Sequence, residues 1–121
     1  KTKWTEAMAG TMLGILHEQI LHGERAENRF KQKAWIAAQE ALKEAYQINL
    51  EATQLKTKWL NLKKAYKIYT MINNNSEFGW DDQRAVLIAL DSVWSTYLTA
   101  YPEVKKFQGR ALLHYPILHE L

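Results

Sequence analysis

The feature that most constrains the fold of this chain is the stretch of residues 53–72, which contains neither glycine nor proline. Its apolar residues alternate at spacings of four and three, which places their side chains on one face of an α-helix. This seam consists of Leu55, Trp59, Leu62, Tyr66 and Tyr69. The pattern therefore predicts a long helix that is buried along one stripe and basic over most of the rest.

The basic part of this predicted helix carries charge of one sign. At 100° per residue, the side opposite the seam carries Thr53, Lys56, Thr57, Leu60, Lys63, Lys64 and Lys67, while Gln54, Lys58 and Asn61 flank one edge. Residues 51–72 hold five lysines against Glu51 alone, a net charge of +4, whereas the whole chain carries +3. Because solubilising helices usually mix charges of both signs, this face indicates a surface that meets a polyanion.

Weaker periodic patterns predict further helices before and after this one. We expect them at residues 6–22, 28–46 and 83–100, followed by a short helix at 102–107 that Pro102 opens. Thr5 is placed to cap the first helix, and Asp81 or Asp82 to cap the helix at 83–100. Residues 76–81 are expected to form a loop whose two aromatic side chains are held against the core. The apolar tail 109–121 is expected to pack back on the domain.

Length and composition favour a single all-α domain over residues 1–121. The 121 residues fit one domain, and 47% hydrophobic with 24% charged residues is an ordinary globular composition. Five glycines and two prolines are too few for a turn-rich all-β sandwich, and the absence of cysteine excludes disulfides and thiolate chemistry. No apolar run is long enough for a transmembrane helix or a secretory signal. We therefore expect a compact, intracellular, helical domain with no membrane partner.

Residue types that carry catalysis or bind metals do not occur in suitable patterns. The four histidines form two pairs, each with a spacing of five, which does not place a pair squarely on one helical face. The acidic doublet Asp81-Asp82 suits a helix cap better than catalysis, since adjacent residues do not converge easily on one reacting atom. No glycine-rich phosphate loop or catalytic serine motif occurs. We therefore expect no catalytic residues, no metal, no other cofactor and no small-molecule substrate.

The tryptophans are expected to form a hydrophobic centre. Trp4, Trp35, Trp59 and Trp94 lie on apolar stripes or at their ends. Stacking platforms for single-stranded bases would need aromatic and basic side chains on one open surface, whereas these types lie on opposite faces of the predicted third helix. Three short helices, of which the third is basic and faces outward, have the geometry that places a helix in the DNA major groove.

A succession of motifs along the chain carries a family resemblance. In order, these are Trp4, Phe30 with Trp35, the run Thr53-Gln54-Leu55-Lys56-Thr57-Lys58-Trp59-Leu60-Asn61-Leu62-Lys63-Lys64-Ala65-Tyr66, the loop Phe78-Gly79-Trp80-Asp81, and the segments 93–98 and 102–107. The succession resembles the Myb/SANT-like domain of plant and fungal proteins, a relative of the trihelix factors that is often linked to transposon-derived genes. It spans nearly the whole chain, and the run and the loop are specific together.

The resemblance implies a Myb-type three-helix core, a variant of the helix-turn-helix, in residues 1–72, with a loop and C-terminal helices in residues 73–121. It also implies that the third helix contacts double-stranded DNA. Carried over by position, the base contacts fall on Thr53, Lys56, Thr57 and Leu60, with Asn61 to one side. We expect the lysines of the same helix, Lys58, Lys63, Lys64 and Lys67, to hold phosphates, because lysine is a point-charge donor suited to the DNA backbone.

These expectations predict a DNA-binding domain in a nuclear transcription or chromatin regulator, or in a transposon-derived protein. Two alternatives stay open. The same fold serves as a SANT-like protein–protein interaction module without DNA binding, in which the C-terminal helices would form the docking surface. The hydrophobic tail would also suit a structural dimerisation domain.

Overall fold

Helices account for most of the structure. The computed structural model describes residues 3–23, 25–26 and 29–121. The elements are α1 (Glu6–Leu21), β1 (Arg25–Ala26), β2 (Arg29–Phe30), α2 (Gln32–Tyr46), α3 (Ala52–Asn73), β3 (Gly79–Asp81), β4 (Val86–Ile88), α4 (Asp91–Ala100), a 3-10 helix (Pro102–Phe107) and α5 (Tyr115–Glu120). The predicted all-α class is confirmed. Across the described residues, no helix combines the length and apolarity needed to cross a bilayer.

Contacts between residues divide the chain into two compact units. The first unit comprises Lys1–Lys63 together with Pro116–Leu121, and the second comprises Lys64–Tyr115. The division falls within α3, whose first half belongs to the first unit and whose second half belongs to the second. A single domain over residues 1–121 stays a prediction.

Helix α1 has the predicted bounds to within one residue. The Thr5 hydroxyl accepts a hydrogen bond from the Met8 amide at 3.1 Å, which confirms Thr5 as the N-cap. The helix ends at Leu21, and Gly23 follows with a φ of 75°, a left-handed conformation that glycine adopts without strain. Helix α1 packs against α2, where the Tyr46 hydroxyl donates to the Ala7 carbonyl at 3.0 Å.

Helix α2 begins later than its predicted start at residue 28, which itself lies outside the described residues. Arg29 and Phe30 form strand β2 instead, antiparallel to β1, with Phe30 opposite Arg25. Lys31 remains extended and α2 starts at Gln32. Since the ladder of β1 and β2 uses the backbone groups of these residues, they are not available to a first helical turn. The predicted helix at 28–46 is therefore too long at its N-terminus.

Aromatic rings connect α2 and α3 in the first unit. Phe30 contacts Trp35 edge-on, with ring centroids 5.7 Å apart, and contacts Trp59 in the same manner at 5.4 Å. Trp35 and Trp59 are 5% and 8% exposed, which confirms their predicted core positions. Edge-to-face pairs of this kind add to the stabilisation that burial provides. The buried hydrophobic residues of the first unit are Met8, Ala9, Met12, Leu13, Leu16, Phe30, Ala34, Trp35, Ala38, Leu42, Leu50, Leu55, Trp59 and Leu118.

The second unit contains a β-hairpin where the fourth helix was predicted to begin. Strand β3 pairs antiparallel with β4, and the Asp81 carboxylate accepts hydrogen bonds from the amides of Gln83 and Arg84 at 3.0 and 3.1 Å. Ala85 then has a φ of 55°, which a right-handed helix cannot include. Helix α4 therefore begins only at Asp91. The prediction that Asp81 or Asp82 caps this helix is wrong, because Leu90 is the N-cap residue and the Asp81 side chain closes the hairpin turn.

The aromatic side chains near this hairpin are held as predicted, although the segment is partly a strand. Phe78 is buried and meets Trp94 edge-on at 4.9 Å. The 3-10 helix over Pro102–Phe107 confirms the predicted short helix. Leu112 of the tail is buried and its amide donates to the Ala85 carbonyl at 2.8 Å, whereas Leu113 remains 58% exposed.

Tyr69 is the most deeply buried aromatic residue of the second unit. It is 1% exposed, its ring meets Phe107 edge-on at 5.1 Å, and its hydroxyl donates to the Arg110 carbonyl at 2.9 Å. Burial raises the pKa of the Tyr69 phenol, against a smaller opposing effect of the Arg110 guanidinium. The buried residues around it are Ile72, Phe78, Leu87, Trp94, Val104, Phe107 and Leu112.

Removing only the Tyr69 hydroxyl tests the contribution of that hydrogen bond. We expect Tyr69→Phe to lower the free energy of unfolding by about 1 kcal/mol, because the ring stays packed and the exposed Arg110 segment lets water reach the carbonyl. Urea titration followed by far-UV circular dichroism measures this value. Tyr101→Phe is the control, since Tyr101 is 44% exposed and a surface change there costs less than about 0.5 kcal/mol. Equal stability of both variants would contradict the prediction.

Candidate nucleic-acid interface

The first half of α3 presents a buried face and an open face. Leu55 and Trp59 are 0% and 8% exposed and hold the helix in the first unit. On the other side Lys56 and Thr57 are exposed, and Leu60 is 60% exposed although it is apolar. The helix therefore has the predicted division between seam and surface, and its open face combines cationic, hydroxyl and apolar groups.

All of the residues predicted to contact bases are exposed. They are Thr53, Lys56, Thr57, Leu60 and Asn61. Their accessibility follows from their position on the helix, because residues on the side opposite Leu55 and Trp59 cannot reach the core. Accessibility is necessary for contact with a base edge, but the role of each side chain stays a prediction.

The lysines predicted to hold phosphates fall into two classes of exposure. Lys64 and Lys67 are exposed, whereas Lys58 and Lys63 are half-buried. The ammonium group of Lys58 lies 5.8 Å from the centroid of the Trp4 ring, and that of Lys63 lies 5.8 Å from the centroid of the Trp59 ring. The aliphatic part of a lysine side chain can cover apolar surface while its ammonium group stays in water. Here the tryptophan rings give each ammonium group a preferred position.

The positive charge of α3 is not neutralised within the described part of the chain. The helix contains five lysines and no acidic residue. The ion pair found among the described residues joins Arg84 to Asp81 at 2.8 Å and belongs to the β3–β4 hairpin. The hydrogen bond from Arg84 lowers the pKa of the Asp81 carboxyl. Asp81 therefore has a structural partner, whereas no acidic side chain among the described residues forms an ion pair with a lysine of α3.

A groove of about 570 Å³ runs between the segment preceding α1 and the first half of α3. It brings together three of the predicted base-contact residues, Thr53, Thr57 and Asn61, whereas Lys56 and Leu60 do not line it. The complete lining is Lys3, Trp4, Thr53, Gln54, Thr57, Lys58 and Asn61.

Sequence reasoning missed Lys3 as a member of this surface. The signal that was available is the flank formed by Gln54, Lys58 and Asn61 on the predicted helix, together with Trp4 directly after Lys3. Neither feature predicts that the Lys3–Trp4 segment lies beside α3. Gln54 also has a local role, because its side-chain oxygen accepts a hydrogen bond from the Glu51 amide at 2.8 Å at the start of α3.

No metal-binding cluster is found among the described residues of this surface. Over residues 3–23, 25–26 and 29–121, no three histidine, aspartate or glutamate side chains converge in an arrangement that could hold a metal ion. The chemistry that the site offers is that of donors: ammonium groups, hydroxyls and carboxamides around a helix with net positive charge.

Comparison with known proteins identifies the family of this chain. A model of the Myb/SANT-like DNA-binding domain matches residues 3–97, and the chain therefore belongs to that family. The match begins at Lys3 and includes all of α3. The resemblance inferred from the order of the motifs is thereby confirmed.

One curated relative is the L10-interacting MYB domain-containing protein of Arabidopsis thaliana. It is 24% identical over 114 residues, which cover 94% of this chain and 25% of the relative. The chain thus spans about a quarter of the length of the curated relative that it matches. No solved structure matches the chain at a significant level.

Proposed function

We propose that this domain binds double-stranded DNA by inserting α3 into the major groove. The observation that carries the proposal is the composition of α3, which has five lysines and no acidic residue, together with its five exposed candidate base-contact side chains, of which Lys56 is one. The buried Trp59 on the opposite side anchors the helix, as an inserted helix requires. Membership of a family described as DNA-binding supports the same function.

The side chains of α3 divide into base contacts and phosphate contacts. Lys56 is suited to donate to O6 and N7 of guanine, while Thr57 and Leu60 offer methyl groups to the methyl of thymine. Thr53 and Asn61 lie at the margins of this surface. Lys58, Lys63, Lys64 and Lys67 serve as point-charge donors to phosphates, which fix the register of the helix without specifying sequence.

The parent protein that we propose is a nuclear regulator of transcription or chromatin, or a transposon-derived protein. A domain that binds duplex DNA in this manner acts where the DNA is, and the donor chemistry of α3 requires no cofactor. We propose no catalytic step for any residue of the chain.

A second candidate function is protein–protein interaction, with the C-terminal helices as the docking surface. The observation that favours it is the name of the Arabidopsis relative, which records an interaction with L10. That name describes the whole relative, of which this chain matches a quarter. Such a module, as the sequence predicts it, would not bind DNA.

Salt dependence of duplex binding distinguishes DNA binding from a protein-docking module. The first step is to select bound sequences from a random duplex pool and to measure the dissociation constant of a selected site at several salt concentrations. Four phosphate-holding lysines predict a slope of about −3.6 for log affinity against log salt, at about 0.9 per phosphate. A chain with no measurable duplex affinity at 50 mM salt would overturn the proposal in favour of the second candidate.

Single substitutions at three lysines of α3 test their assignment to phosphates. We expect Lys63→Ala, Lys64→Ala and Lys67→Ala each to reduce the salt slope by roughly one and to weaken all duplexes about equally, since phosphate contacts carry no sequence information. Lys43→Ala is the matched control, because Lys43 is an exposed lysine of α2. If all three variants keep the slope of the wild-type protein, α3 is not at the interface.

A further inference from the structure

The groove between Lys3–Trp4 and α3 contains two cations that lie apart from the open face of the helix. Lys3 comes from the segment before α1, and Lys58 comes from the flank of α3. Trp4 connects the two, since its ring lies beneath the Lys58 ammonium group at 5.8 Å from the centroid. The predicted base contacts reach the groove at Thr53, Thr57 and Asn61, and the predicted phosphate contacts include Lys58, but neither set includes Lys3.

We propose that this groove holds the phosphodiester backbone of one DNA strand, with Lys3 and Lys58 as its donors and Trp4 as a positioning residue for Lys58. The inference rests on the proposed DNA binding by α3 and assigns the segment before α1 to the same interface. It also assigns the two strands of the duplex to different flanks of the helix.

The polar groups of the lining are donors that fit a phosphate. The groove offers the ammonium groups of Lys3 and Lys58, the hydroxyls of Thr53 and Thr57 and the carboxamide of Asn61 beside a single aromatic ring. Among the described residues that line it, none is acidic. Ammonium and hydroxyl donors without a carboxylate complement the charged oxygens of a phosphodiester.

The position of Lys58 around α3 indicates which strand the groove would hold. Lys58 and Lys63 are five residues apart, which separates them by about 140° around the helix axis at 3.6 residues per turn. A helix in the major groove, which is about 12 Å wide, has one phosphate backbone on each side. Lys58 with Lys3 therefore faces one backbone, while Lys63 faces the other.

Lys58 and Lys63, on the two flanks of α3, both lie near a tryptophan ring, and both are less exposed than Lys64 and Lys67. Each of Lys58 and Lys63 lies with its ammonium group 5.8 Å from the centroid of a tryptophan ring, Trp4 for Lys58 and Trp59 for Lys63. A cation over an indole face is attracted by the ring, so this contact favours one position for each of the two ammonium groups. Ordered donors lose less conformational entropy when they bind, which is the advantage of a preorganised contact.

The first experiment measures whether the groove contributes to binding. Lys3→Ala and Lys58→Ala are compared with the wild-type chain and with Lys105→Ala, an exposed lysine of the 3-10 helix. We expect each groove variant to reduce the slope of log affinity against log salt by about 0.9. If variant and wild type bind equally at 1 M salt, this slope change makes the variant bind about eightfold more weakly at 0.1 M salt. The Lys105 variant should bind as the wild type does.

The role of Trp4 requires a conservative pair of variants. Trp4→Phe keeps an aromatic face beneath Lys58, and we expect it to bind as the wild type does. Trp4→Leu removes that face, and we expect it to weaken binding about threefold. The same Trp4→Leu change should have no effect when Lys58 is already alanine. A loss of equal size in both backgrounds would show that Trp4 acts only through the fold.

The second experiment assigns the strands. Neutral methylphosphonates replace single phosphates along each strand of the selected duplex, and the wild type identifies the positions that matter. Lys58→Ala should abolish the effect of a methylphosphonate on one strand, and Lys63→Ala the effect of one on the other strand. If both variants abolish the effect at the same phosphate, the assignment of the flanks to different strands is wrong.

These measurements separate the inference from the function on which it rests. If Lys3→Ala and Lys58→Ala bind as the wild type while Lys63→Ala loses affinity, the groove is not a phosphate site although α3 still binds DNA. If the wild-type chain binds no duplex, both the inference and the proposed function are overturned. A slope change in the groove variants together with separate strands for Lys58 and Lys63 supports both.

Discussion

Replacement of Trp59 by alanine is expected to destabilise the first unit by about 3–5 kcal/mol, the cost of truncating a large buried aromatic residue. Trp59 is 8% exposed and its ring meets Phe30 edge-on at 5.4 Å, while Leu55 one turn earlier on the same seam is 0% exposed. The substitution therefore leaves a cavity between α3 and the elements that it packs against. Since small domains have only about 5–15 kcal/mol of stability, this loss is a large fraction of the total.

Urea titration followed by far-UV circular dichroism is the suitable measurement, because the substitution itself removes a fluorophore. The matched control is Leu60→Ala at the next position of α3, where the side chain is 60% exposed and the expected change is within about 0.5 kcal/mol. The two variants truncate adjacent apolar residues on different sides of the helix, although the tryptophan is the larger of the two. A Trp59→Ala variant that unfolds as the wild type does but no longer binds DNA would show that the indole acts at the surface.

The parts of the fold that follow from local sequence signals were predictable. The seam that contains Trp59 predicted a helix at 53–72, and α3 extends over Ala52–Asn73. Thr5 caps α1 as expected, because a threonine before the first helical turn satisfies a backbone amide whatever the rest of the chain does. Signals of this kind depend on neighbours within a few residues, and the structure preserves them.

The two β-hairpins were not predictable from periodicity. Strands β1 and β2 have two residues each and β3 and β4 have three, which is too short for an alternating pattern to be recognised. Asp81 is ambiguous for a physical reason, because the same carboxylate can accept amide hydrogen bonds at a helix start or in a tight turn. The conformation of Ala85, with its φ of 55°, selects the turn.

The candidate site was predictable where it depends on a single helix. Rotation by 100° per residue is sufficient to place Lys56, Thr57 and Leu60 on the exposed side of α3. The groove with Lys3 and Trp4 depends on where a segment about 50 residues away in sequence lies, and helical periodicity contains no information about such distances. The sequence therefore predicts which side chains share a face of α3, but not that Lys3 and Trp4 lie beside them.

Replacement of Lys56 is expected to change the sequence preference of the domain. We expect Lys56→Ala to cost about 1–3 kcal/mol at one base pair of the selected site and to relax the preference there, because lysine on the open face can donate to O6 and N7 of guanine. Lys56 is exposed and lies in the first half of α3, next to Thr57 and one turn before Leu60. An exposed lysine between such neighbours is free to point toward a base edge.

Lys63 is the matched control for Lys56, because seven residues bring the two side chains to nearly the same side of the helix. They differ in support: Lys63 is half-buried with its ammonium group near the Trp59 ring, whereas Lys56 is exposed. Both alanine variants are measured on the selected site and on a scrambled duplex. Lys63→Ala should lose the same factor in affinity on both duplexes, whereas Lys56→Ala should lose more affinity on the selected site.

Lys56→Arg should keep the sequence preference, since arginine also donates to both guanine acceptors. If Lys56→Ala and Lys63→Ala lose one common factor on both duplexes, Lys56 holds a phosphate and the specificity of the domain comes from other residues.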